Sequence, residues 1–319
     1  MTRVLTIGNQ KGGVSKTSSC LNLCYSLANT YGYNVLLIDM DSQGSASLNL
    51  QIDVAGEDIH TIDELLEPVV LNKIRSIPWN ALKECIYTPT FNDRIRDPED
   101  KMRWKQVQSP FGFDIIPASL YLSIVEMKMG IAAGTYFNGA INQFYLRETI
   151  IKTIKENADY DYIVIDTPPS LGALSINSMA AATDGVIIVS NLDVMSTRGI
   201  ESFIESIETV KLGNKDHRGI LGILFALYSD RRSVDRQVDE WAQRFLPIPV
   251  FDTKIPETAN VKKANMSKLL VSQIDKKMKR AYDEFANEVI YAVEHPDEPI
   301  GSARDAMNNP QLSLDLGEE

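Results

Sequence analysis

Short apolar runs bounded by polar turns recur along the chain and alternate with longer, helix-length segments. The runs predict buried strands at residues 4–7, 35–38, 113–116, 162–165, 186–189 and 220–226, and the longer segments predict helices at 16–30, 138–156, 173–182, 197–210 and 234–244. Strands that read as continuous Val, Ile and Leu, alternating with helices, are typical of a parallel sheet covered on both faces. The pattern therefore predicts a doubly wound α/β fold with a mostly parallel, twisted sheet and helices on both faces.

Two segments interrupt this alternation. Residues 93–108 are dense in charged side chains and sit where another strand–helix unit could continue, so we expect a surface insertion there. Residues 294–319 combine Pro and Gly with acidic residues and few large apolar ones, which indicates a flexible acidic tail. The chain has 319 residues, of which 44% are hydrophobic, and we expect a single domain over residues 1–293.

The overall charge restricts how the chain can bind polyanions. Its net charge of −11 argues against attraction of the whole surface to nucleic acid or anionic lipid, so such binding requires a local basic patch. The three scattered cysteines do not make a disulfide framework, which suits a reducing cytoplasm. No segment approaches the roughly 20 apolar residues of a membrane span. We therefore expect a cytoplasmic protein that does not enter a membrane.

The stretch QKGGVSKT, residues 10–17, follows the first predicted strand and opens the first predicted helix. A strand that stops, a turn containing glycine and a helix N-terminus together form a phosphate-binding loop. In such a loop Lys16 would reach the β- and γ-phosphate oxygens of a nucleotide, and the Thr17 hydroxyl would ligate Mg²⁺. The general pattern has glycine where this chain has Gln10 and Ser15, and we expect both residues to keep ordinary backbone angles.

The segment KGGVSKTS carries a family resemblance. It resembles the deviant Walker A motif, K-G-G-x-x-K-[ST], of the ParA/MinD group of P-loop ATPases. The resemblance implies that the first lysine, Lys11, reaches across a dimer to the nucleotide of the partner, so that ATP is sandwiched between two subunits. The nucleotide contacts expected from this loop are Lys11, Gly12, Gly13, Val14, Ser15, Lys16, Thr17 and Ser18.

Three further segments agree with this resemblance and extend it over most of residues 2–293. The segment VLLIDMDSQGSAS is similar to the second motif of the family, which implies Asp39 at the metal and Asp41 orienting the attacking water. The segment YDYIVIDTPPSLG resembles the Walker B strand and the switch after it, with Asp166 holding Mg²⁺ through water. The segment IPETANVKKANMSKLLV is similar to a loop that contacts adenine. That similarity implies adenine contacts from Pro256, Glu257 and Thr258.

Each acidic strand end also has a purely structural explanation, since Asp39 and Asp166 could merely cap turns. Their order beside the phosphate loop favours a nucleotide site, because the carboxyl ends of parallel strands meet at one edge of the sheet. The resemblance implies an ATP hydrolase with a slow intrinsic rate, ATP and Mg²⁺ as its ligands, and Lys11, Lys16 and Asp41 as its catalytic side chains.

The remaining features distinguish the branches of this group. A MinD-like membrane ATPase would end in a basic amphipathic helix, whereas this chain ends in the acidic NNPQLSLDLGEE. A reductase similar to the nitrogenase iron protein would need a cysteine after the Walker B segment, and a dehydrogenase would need G-x-G-x-x-G; neither is present. The partition ATPases of the shorter ParA type remain, because the first strand begins too early for an N-terminal DNA-reading domain.

A basic segment near the C-terminus is the patch that the overall charge requires. Residues 254–280 carry eight basic side chains against two acidic ones, a local net charge of +6. The candidate DNA contacts are Lys254, Lys262, Lys263, Lys268, Lys276, Lys277, Lys279 and Arg280. A second candidate group is Arg231, Arg232 and Arg236. These side chains would bind phosphates with a strong salt dependence, although a charged helix face exposed to solvent is the simpler explanation.

Two functions from different classes follow. The first is a DNA-partition ATPase in which Mg-ATP drives dimerisation and nonspecific binding to duplex DNA on the nucleoid, and a ParB-like centromere-binding protein stimulates hydrolysis and release. The second is a positioning ATPase that uses the same switch to recruit a protein cargo without binding DNA. ATP-dependent binding to random duplex separates the two.

Overall fold

Seven parallel strands form the central sheet in the computed structural model of the protein, which describes residues 1–55, 58–72, 74–96, 104–136, 143–192, 197–246, 248–298 and 300. The described residues contain these seven strands and two others, β3 and β4, which lie outside the central sheet. In chain order the strands are β1 (Arg3–Gly8), β2 (Val35–Asp39), β3 (Thr90–Arg96), β4 (Trp104–Pro110), β5 (Asp114–Ile116), β6 (Tyr162–Asp166), β7 (Gly185–Ser190), β8 (Ile220–Tyr228) and β9 (Val250–Pro256). The sheet has the order β5-β2-β6-β1-β7-β8-β9. The six strands predicted from apolar runs all lie in it.

The sequence did not predict β9, the strand at one edge of the sheet. Its residues alternate between buried and half-buried, and its centre contains Asp252, Thr253 and Lys254. A strand with only one neighbour does not need the continuous apolar run of a central strand. For this reason the segment did not stand out from the surrounding polar sequence.

Helices cover both faces of the sheet, which confirms the predicted doubly wound fold. They are α1 (Lys16–Asn29), α2 (Ser45–Asn49), α3 (Ile62–Asn72), α4 (Trp79–Glu84), α5 (Leu122–Tyr136), a π-helical turn (Leu146–Ile151), α6 (Lys152–Asn157), α7 (Ala173–Ala181), α8 (Thr197–Leu212), α9 (Ser233–Phe245), α10 (Asn260–Met266), α11 (Val271–Ile274) and α12 (Lys276–Glu294). None of the helices within the described ranges is long and apolar enough to cross a membrane.

Alternate residues of the central strands contribute to hydrophobic cores on opposite faces of the sheet. Leu5 and Ile7 of β1 point to the face covered by α1 and α12, where Leu23 and Phe285 are fully buried. Val4 of β1 belongs to the opposite core, which α3, α5 and α7 cover. This alternation on both faces explains why the central strands read as unbroken apolar runs.

The charged segment at 93–108 coincides with a structure outside the central sheet. Strands β3 and β4 pair only with each other and are antiparallel. Residues 97–103, between the two strands, lie outside the described residues. The predicted tail begins where α12 ends, at Glu294, and its residues from 301 onwards also lie outside the described part.

Glu288 attaches α12 to the edge strand β9. Its Oε2 accepts a hydrogen bond from the backbone N–H of Asp252 (2.8 Å), and its Oε1 accepts one from that of Thr253 (2.9 Å) and another from the Thr253 hydroxyl. Burial raises the pKa of Glu288, and these hydrogen bonds oppose the shift. The carboxylate thus pairs two backbone donors that an edge strand turns away from the sheet.

We expect Glu288→Ala to destabilise the fold by about 3 kcal/mol, because buried backbone donors of β9 lose their acceptor. The urea midpoint should fall while the slope of the unfolding free energy stays constant. Glu284→Ala, one turn earlier on the exposed side of α12, is the matched control and should cost less than about 0.5 kcal/mol. Equal losses in the two variants would contradict the role assigned to Glu288.

Candidate functional site

The carboxyl ends of β2, β6 and β1 meet at one edge of the sheet. Asp39 at the end of β2 stands opposite Asp166 at the end of β6, and Asp166 in turn stands opposite Ile7 of β1. The loop 9–15 leaves β1 at this point and leads into α1. The sheet therefore brings the predicted phosphate loop and both predicted acidic strand ends together.

The loop turns through two residues with left-handed backbone. Gly13 has φ +74° and Ser15 has φ +68°. The expectation that Ser15 keeps ordinary angles is therefore wrong, whereas Gln10 is not among the described residues with positive φ. Ser15 occupies the position where the general phosphate-loop pattern has glycine. The same backbone turn is made here by a residue that pays a steric penalty of about 1–2 kcal/mol.

The N-terminus of α1 carries no acidic group of its own. Ser15 is its N-cap and makes no side-chain capping hydrogen bond, and the first turn contains no acidic residue. The first amide donors of a helix have no acceptor within the helix, and their partial positive charge attracts anions. A Cβ added at Gly13 would have no atom within 4 Å, and one added at Gly12 would touch only Pro169 at 4.0 Å. The loop thus borders open space.

Lys16 lies beneath this loop and is only 7% exposed. Its Nζ donates a hydrogen bond to the Lys11 carbonyl at 3.1 Å, which closes the loop on itself. Burial lowers the pKa of Lys16, and the nearby charges of Asp166 and Asp41 oppose the shift. The ammonium group is therefore held among carboxylates at the edge of the sheet.

Asp166 is fully buried, and within the described residues neither of its carboxylate oxygens has a hydrogen-bond partner. Burial raises its pKa well above the usual range, and the charge of Asp39 raises it further. The Thr17 hydroxyl lies close enough to oppose this shift, but outside hydrogen-bond geometry. A buried carboxylate without partners is costly unless a cation compensates it. Together with the Thr17 hydroxyl, it offers the oxygen ligands that Mg²⁺ prefers.

Asp39, predicted to lie at the metal, is held by hydrogen bonds to its own loop. Its Oδ2 accepts hydrogen bonds from the Ser47 amide (3.0 Å) and hydroxyl (2.7 Å), and its Oδ1 accepts one from the Asp41 amide (3.1 Å). Burial raises its pKa to about 6. These bonds commit the carboxylate to the loop that follows β2. Asp39 therefore positions Asp41.

Asp41 is held in this loop by its neighbours. Its Oδ1 accepts a hydrogen bond from the Gln43 amide (3.0 Å), and its carbonyl accepts one from the Gly44 amide (2.7 Å). Gly44 has φ +59° and begins the short helix α2. Asp41 is 7% exposed, so its carboxylate keeps limited access to the surface beside Lys16.

Sequence reasoning missed the residues that fix this geometry. Asn9 accepts a hydrogen bond from the Lys11 amide (3.1 Å) and donates one to the Val189 carbonyl (2.6 Å), which ties the loop to β7. Thr167 donates a hydrogen bond to the Ile7 carbonyl at 2.9 Å. The sequence shows that Asn9 and Thr167 are polar residues that directly follow buried strands. Their hydrogen-bond partners can be identified only once the neighbouring strands are known.

The predicted adenine contacts lie further along the same edge. Pro256 and Glu257 line an open cleft of about 900 Å³ together with Tyr228 and Arg231. Because neighbouring strands lie about 4.8 Å apart, this cleft at the ends of β8 and β9 starts two strands from β1, roughly 10 Å away. Thr258 faces elsewhere and donates a hydrogen bond to Asp275 at 3.4 Å.

The basic segment forms an exposed surface on α10 and the start of α12. Asp275 joins these helices: it accepts hydrogen bonds from Asn260 of α10 (2.8 Å) and from the first amides of α12. The Asn260 hydrogen bond is the main reason that the pKa of Asp275 is lowered. We define the lysine surface as the exposed residues Lys262, Lys263, Lys268, Lys276 and Lys277.

Other members of the predicted DNA contacts are already paired. Lys254 is the clearest correction, because its side chain is only 10% exposed and its Nζ forms an ion pair with Asp239 at 3.2 Å. Lys279 and Arg280 pair with Asp283 (2.6 Å) and Glu284 (2.8 Å) one turn later. We therefore leave Lys254 out of the lysine surface. We expect Lys279 and Arg280 to contribute less to DNA binding than the lysines of that surface do.

The second candidate group is also divided. Arg232 forms ion pairs with Glu257 and with Asp235, the latter at 3.6 Å. Arg231 and Arg236 are exposed. Arg231 borders the cleft at β8 and β9, so its position serves an anionic ligand there as well as it serves DNA.

Comparisons with known proteins agree with this geometry. A family model described as an AAA domain matches residues 2–218. The chromosome partitioning protein ParA of Caulobacter vibrioides is 30% identical over 292 residues, which cover 90% of this chain and 94% of that protein. The chain belongs to the ParA/MinD family of P-loop ATPases.

Further similar proteins cover most of this chain. The sporulation initiation inhibitor protein Soj of Bacillus subtilis is 27% identical over 264 residues, which cover 83% of this chain and 88% of Soj. A structure of cobyrinic acid a,c-diamide synthase from Mycobacterium smegmatis, with bound ADP and magnesium, is 26% identical. It has a TM-score of 0.67 and covers 94% of this chain and 98% of the synthase.

The left-handed turn at Ser15 makes a test of the phosphate loop possible. We expect Ser15→Gly to fold with equal or greater stability, by up to about 1 kcal/mol, since glycine adopts this backbone without strain. Ser15→Val should lose about 1–2 kcal/mol, because a β-branched residue tolerates positive φ poorly. Thermal unfolding of the three proteins measures both effects. A valine variant as stable as the serine protein would contradict the observed turn.

Proposed function

We propose that this chain is an ATP hydrolase of the ParA type, acting in the cytoplasm on the nucleoid. Mg-ATP drives two copies into a sandwich dimer, the dimer binds duplex DNA without sequence preference, and a ParB-like centromere-binding protein stimulates hydrolysis and releases it. The intrinsic rate is slow. The ParA relative supports this assignment by its name and by the share of both chains that the similarity covers.

The buried Asp166 is the observation that carries the proposal. Its oxygens have no partner in the described residues, yet the side chain lies beside Lys16 and the Thr17 hydroxyl. A structural turn cap would use those oxygens in hydrogen bonds, as Asp39 does. The arrangement fits a carboxylate whose partner is a divalent cation held together with phosphate oxygens.

The side chains around this point divide the work of phosphoryl transfer to water. Lys16 donates to the β- and γ-phosphate oxygens, and the amides from Gly13 to Ser18 surround them. Thr17 and Asp166 would hold Mg²⁺, and when bound the ion would neutralise charge on the phosphates. Asp41 accepts a hydrogen bond from the attacking water and aligns it with the γ-phosphorus. Asp39 keeps Asp41 in place through the Asp41 amide.

Lys11 supplies the link between nucleotide and dimer. Its backbone is fixed on both sides, because its amide donates to Asn9 (3.1 Å) and its carbonyl accepts from Lys16 (3.1 Å). Its side chain is half-buried at the rim of the loop. In the proposed dimer it crosses to the γ-phosphate bound by the partner, where a second cation stabilises the charge that develops during hydrolysis.

The adenine is proposed to lie in the cleft at the ends of β8 and β9, against Pro256 and Glu257. The cleft volume of about 900 Å³ falls in the range of small-molecule sites. Thr258 is a less direct candidate, because its hydroxyl already bonds Asp275.

Two lysine variants separate binding from dimerisation. Lys16→Ala should weaken ATP binding by about 100-fold, since charge-assisted hydrogen bonds to the phosphates are lost. Lys11→Ala should bind ATP as the unaltered protein does but remain a monomer with ATP. Titration of a fluorescent ATP analogue and light scattering after gel filtration measure the two properties. Lys83→Ala, exposed on α4, is the control for removal of a positive charge and should change neither.

The DNA-binding step is assigned to the lysine surface, together with Arg231. Its five lysines are exposed and have no ion pair within the described ranges, unlike Lys279 and Arg280. A surface without internal partners retains its charge for phosphate contacts. The rest of the chain is acidic and repels the DNA phosphates.

We expect Lys262→Gln/Lys263→Gln to weaken binding to random duplex equally for all sequences. The slope of log affinity against log salt should become shallower by roughly 2, because two phosphate contacts are removed. Fluorescence anisotropy with ATP and with ADP at several salt concentrations provides the measurement. Arg75→Gln, exposed between α3 and α4, is the control. An unchanged slope in the lysine variant would remove these residues from the DNA contact.

A positioning ATPase with a protein cargo is the second candidate function. One observation favours it: Leu120, just before α5, and Ile124 and Met127 on α5 are 70%, 40% and 59% exposed. Exposed apolar patches of this kind commonly mark a protein-binding site. If the chain binds no duplex at low salt with either nucleotide, this second function replaces the first.

A further inference from the structure

The hairpin of β3 and β4 is the part of the fold that the proposed function does not use. Its strands pair in continuous antiparallel register from Thr90↔Pro110 to Arg96↔Trp104. It contributes nothing to the sheet that carries the phosphate loop. A two-stranded ribbon that projects from the central fold needs a separate explanation.

The two faces of the hairpin have different chemistry. One face is half-buried against the protein and includes Phe91, Asp93 and Val107; Phe91 packs on Phe111 with ring centroids 5.0 Å apart. The other face is exposed. Its described members are Thr90, Asn92, Gln106 and Gln108. We call this second face the outer face.

The described side chains of the outer face are mostly amides, and none of them is acidic. Gln108 accepts a hydrogen bond from the Thr90 hydroxyl (3.1 Å) and donates one to Asn92 (2.6 Å), which orders these side chains in a row. The acidic residues of the insertion occupy the inner face, at Asp93, or the 97–103 connection. This distribution is unusual in a chain with 43 acidic residues.

The base of the hairpin lies next to the basic end of α12. The C-terminal end of α1 touches both: Asn29 donates a hydrogen bond to the Phe111 carbonyl (2.7 Å), and Thr30 accepts one from Lys279 (3.1 Å). Lys279 and Asp93 also both lie near enough to Tyr25 to influence its pKa, which burial raises. The base of the hairpin and the start of α12, which carries Lys276 and Lys277 of the lysine surface, therefore share one side of the molecule.

We propose that the outer face of the β3–β4 hairpin is a second DNA contact that enters the major groove beside the phosphates held by the lysine surface. A two-stranded ribbon fits the width of the major groove, and Asn and Gln side chains pair with base edges there. This inference rests on the proposed DNA binding and adds to it the groove that is contacted.

Two variants of the outer face test the inference. Asn92→Ala/Gln106→Ala should weaken duplex binding about tenfold with an unchanged salt slope, because uncharged base contacts are lost. Thr90→Val/Gln108→Ala should weaken binding by a similar factor, again with an unchanged salt slope. The matched control is Asn72→Ala/Arg75→Gln, at exposed positions on the opposite face of the sheet. Urea midpoints of all variants should equal that of the unaltered protein.

Competition identifies the groove. Methyl green, which occupies the major groove, should displace the ATP-bound protein, and netropsin, which occupies the minor groove, should not. The opposite pattern, or hairpin variants that bind as the unaltered protein does while Lys262→Gln/Lys263→Gln is weakened, overturns the hairpin inference and leaves the DNA function intact. If the unaltered protein binds no duplex with ATP, the DNA function fails and the hairpin inference fails with it.

Discussion

The juxtaposition of buried charges at the ends of β2, β6 and β1 is the constraint on which the rest of the structure depends. Asp166 and Asp39 stand opposite each other with 0% exposure, and Lys16 is the cation beside them. Asp39 is satisfied by Ser47 and Asp41, whereas Asp166 is not. Such a site stores unfavourable desolvation that a cation and phosphate together relieve. Ligand binding therefore stabilises the fold in proportion to its occupancy.

Helix α1 connects this site to the lysine surface through direct contacts. It begins at the phosphate loop, and at its middle Asn22 accepts hydrogen bonds from the amide (3.1 Å) and hydroxyl (2.6 Å) of Ser272 in α11. At its end, Tyr31 donates to the carbonyl of Asp283 in α12 at 2.9 Å. These buried and half-buried bonds make α1 and the lysine-bearing helices one packed unit. A shift of the loop on nucleotide binding would reach the basic surface through it.

The sequence predicted the parts of the molecule that one local pattern determines. Central strands are apolar on both faces, so their apolar runs were evident in the sequence. The edge strand β9 is more polar, and two of its backbone amides donate hydrogen bonds to Glu288 on α12. The family motif located the loop and Asp166. It did not reveal that Ser15 has a left-handed backbone or that Asp39 accepts hydrogen bonds from the amide and hydroxyl of Ser47. Lys254 looked like its basic neighbours, yet its position on β9 directs it to Asp239. The surroundings of Asp39, Lys254 and β9 depend on contacts between residues that are separated in the sequence.

Dimerisation alone is sufficient to make DNA binding depend on ATP in the proposed mechanism. A two-fold dimer carries two copies of the lysine surface in fixed relation, and the second copy binds the same duplex at a high effective concentration. The salt dependence of DNA affinity grows with the number of phosphates contacted. Lowering the salt concentration therefore increases the DNA affinity of the dimer more than that of the monomer. The remaining surface is acidic, since the whole chain has a net charge of −11 despite this patch. A single lysine surface on an acidic monomer is thus a weak ligand for DNA, and no rearrangement within the subunit is needed to release it.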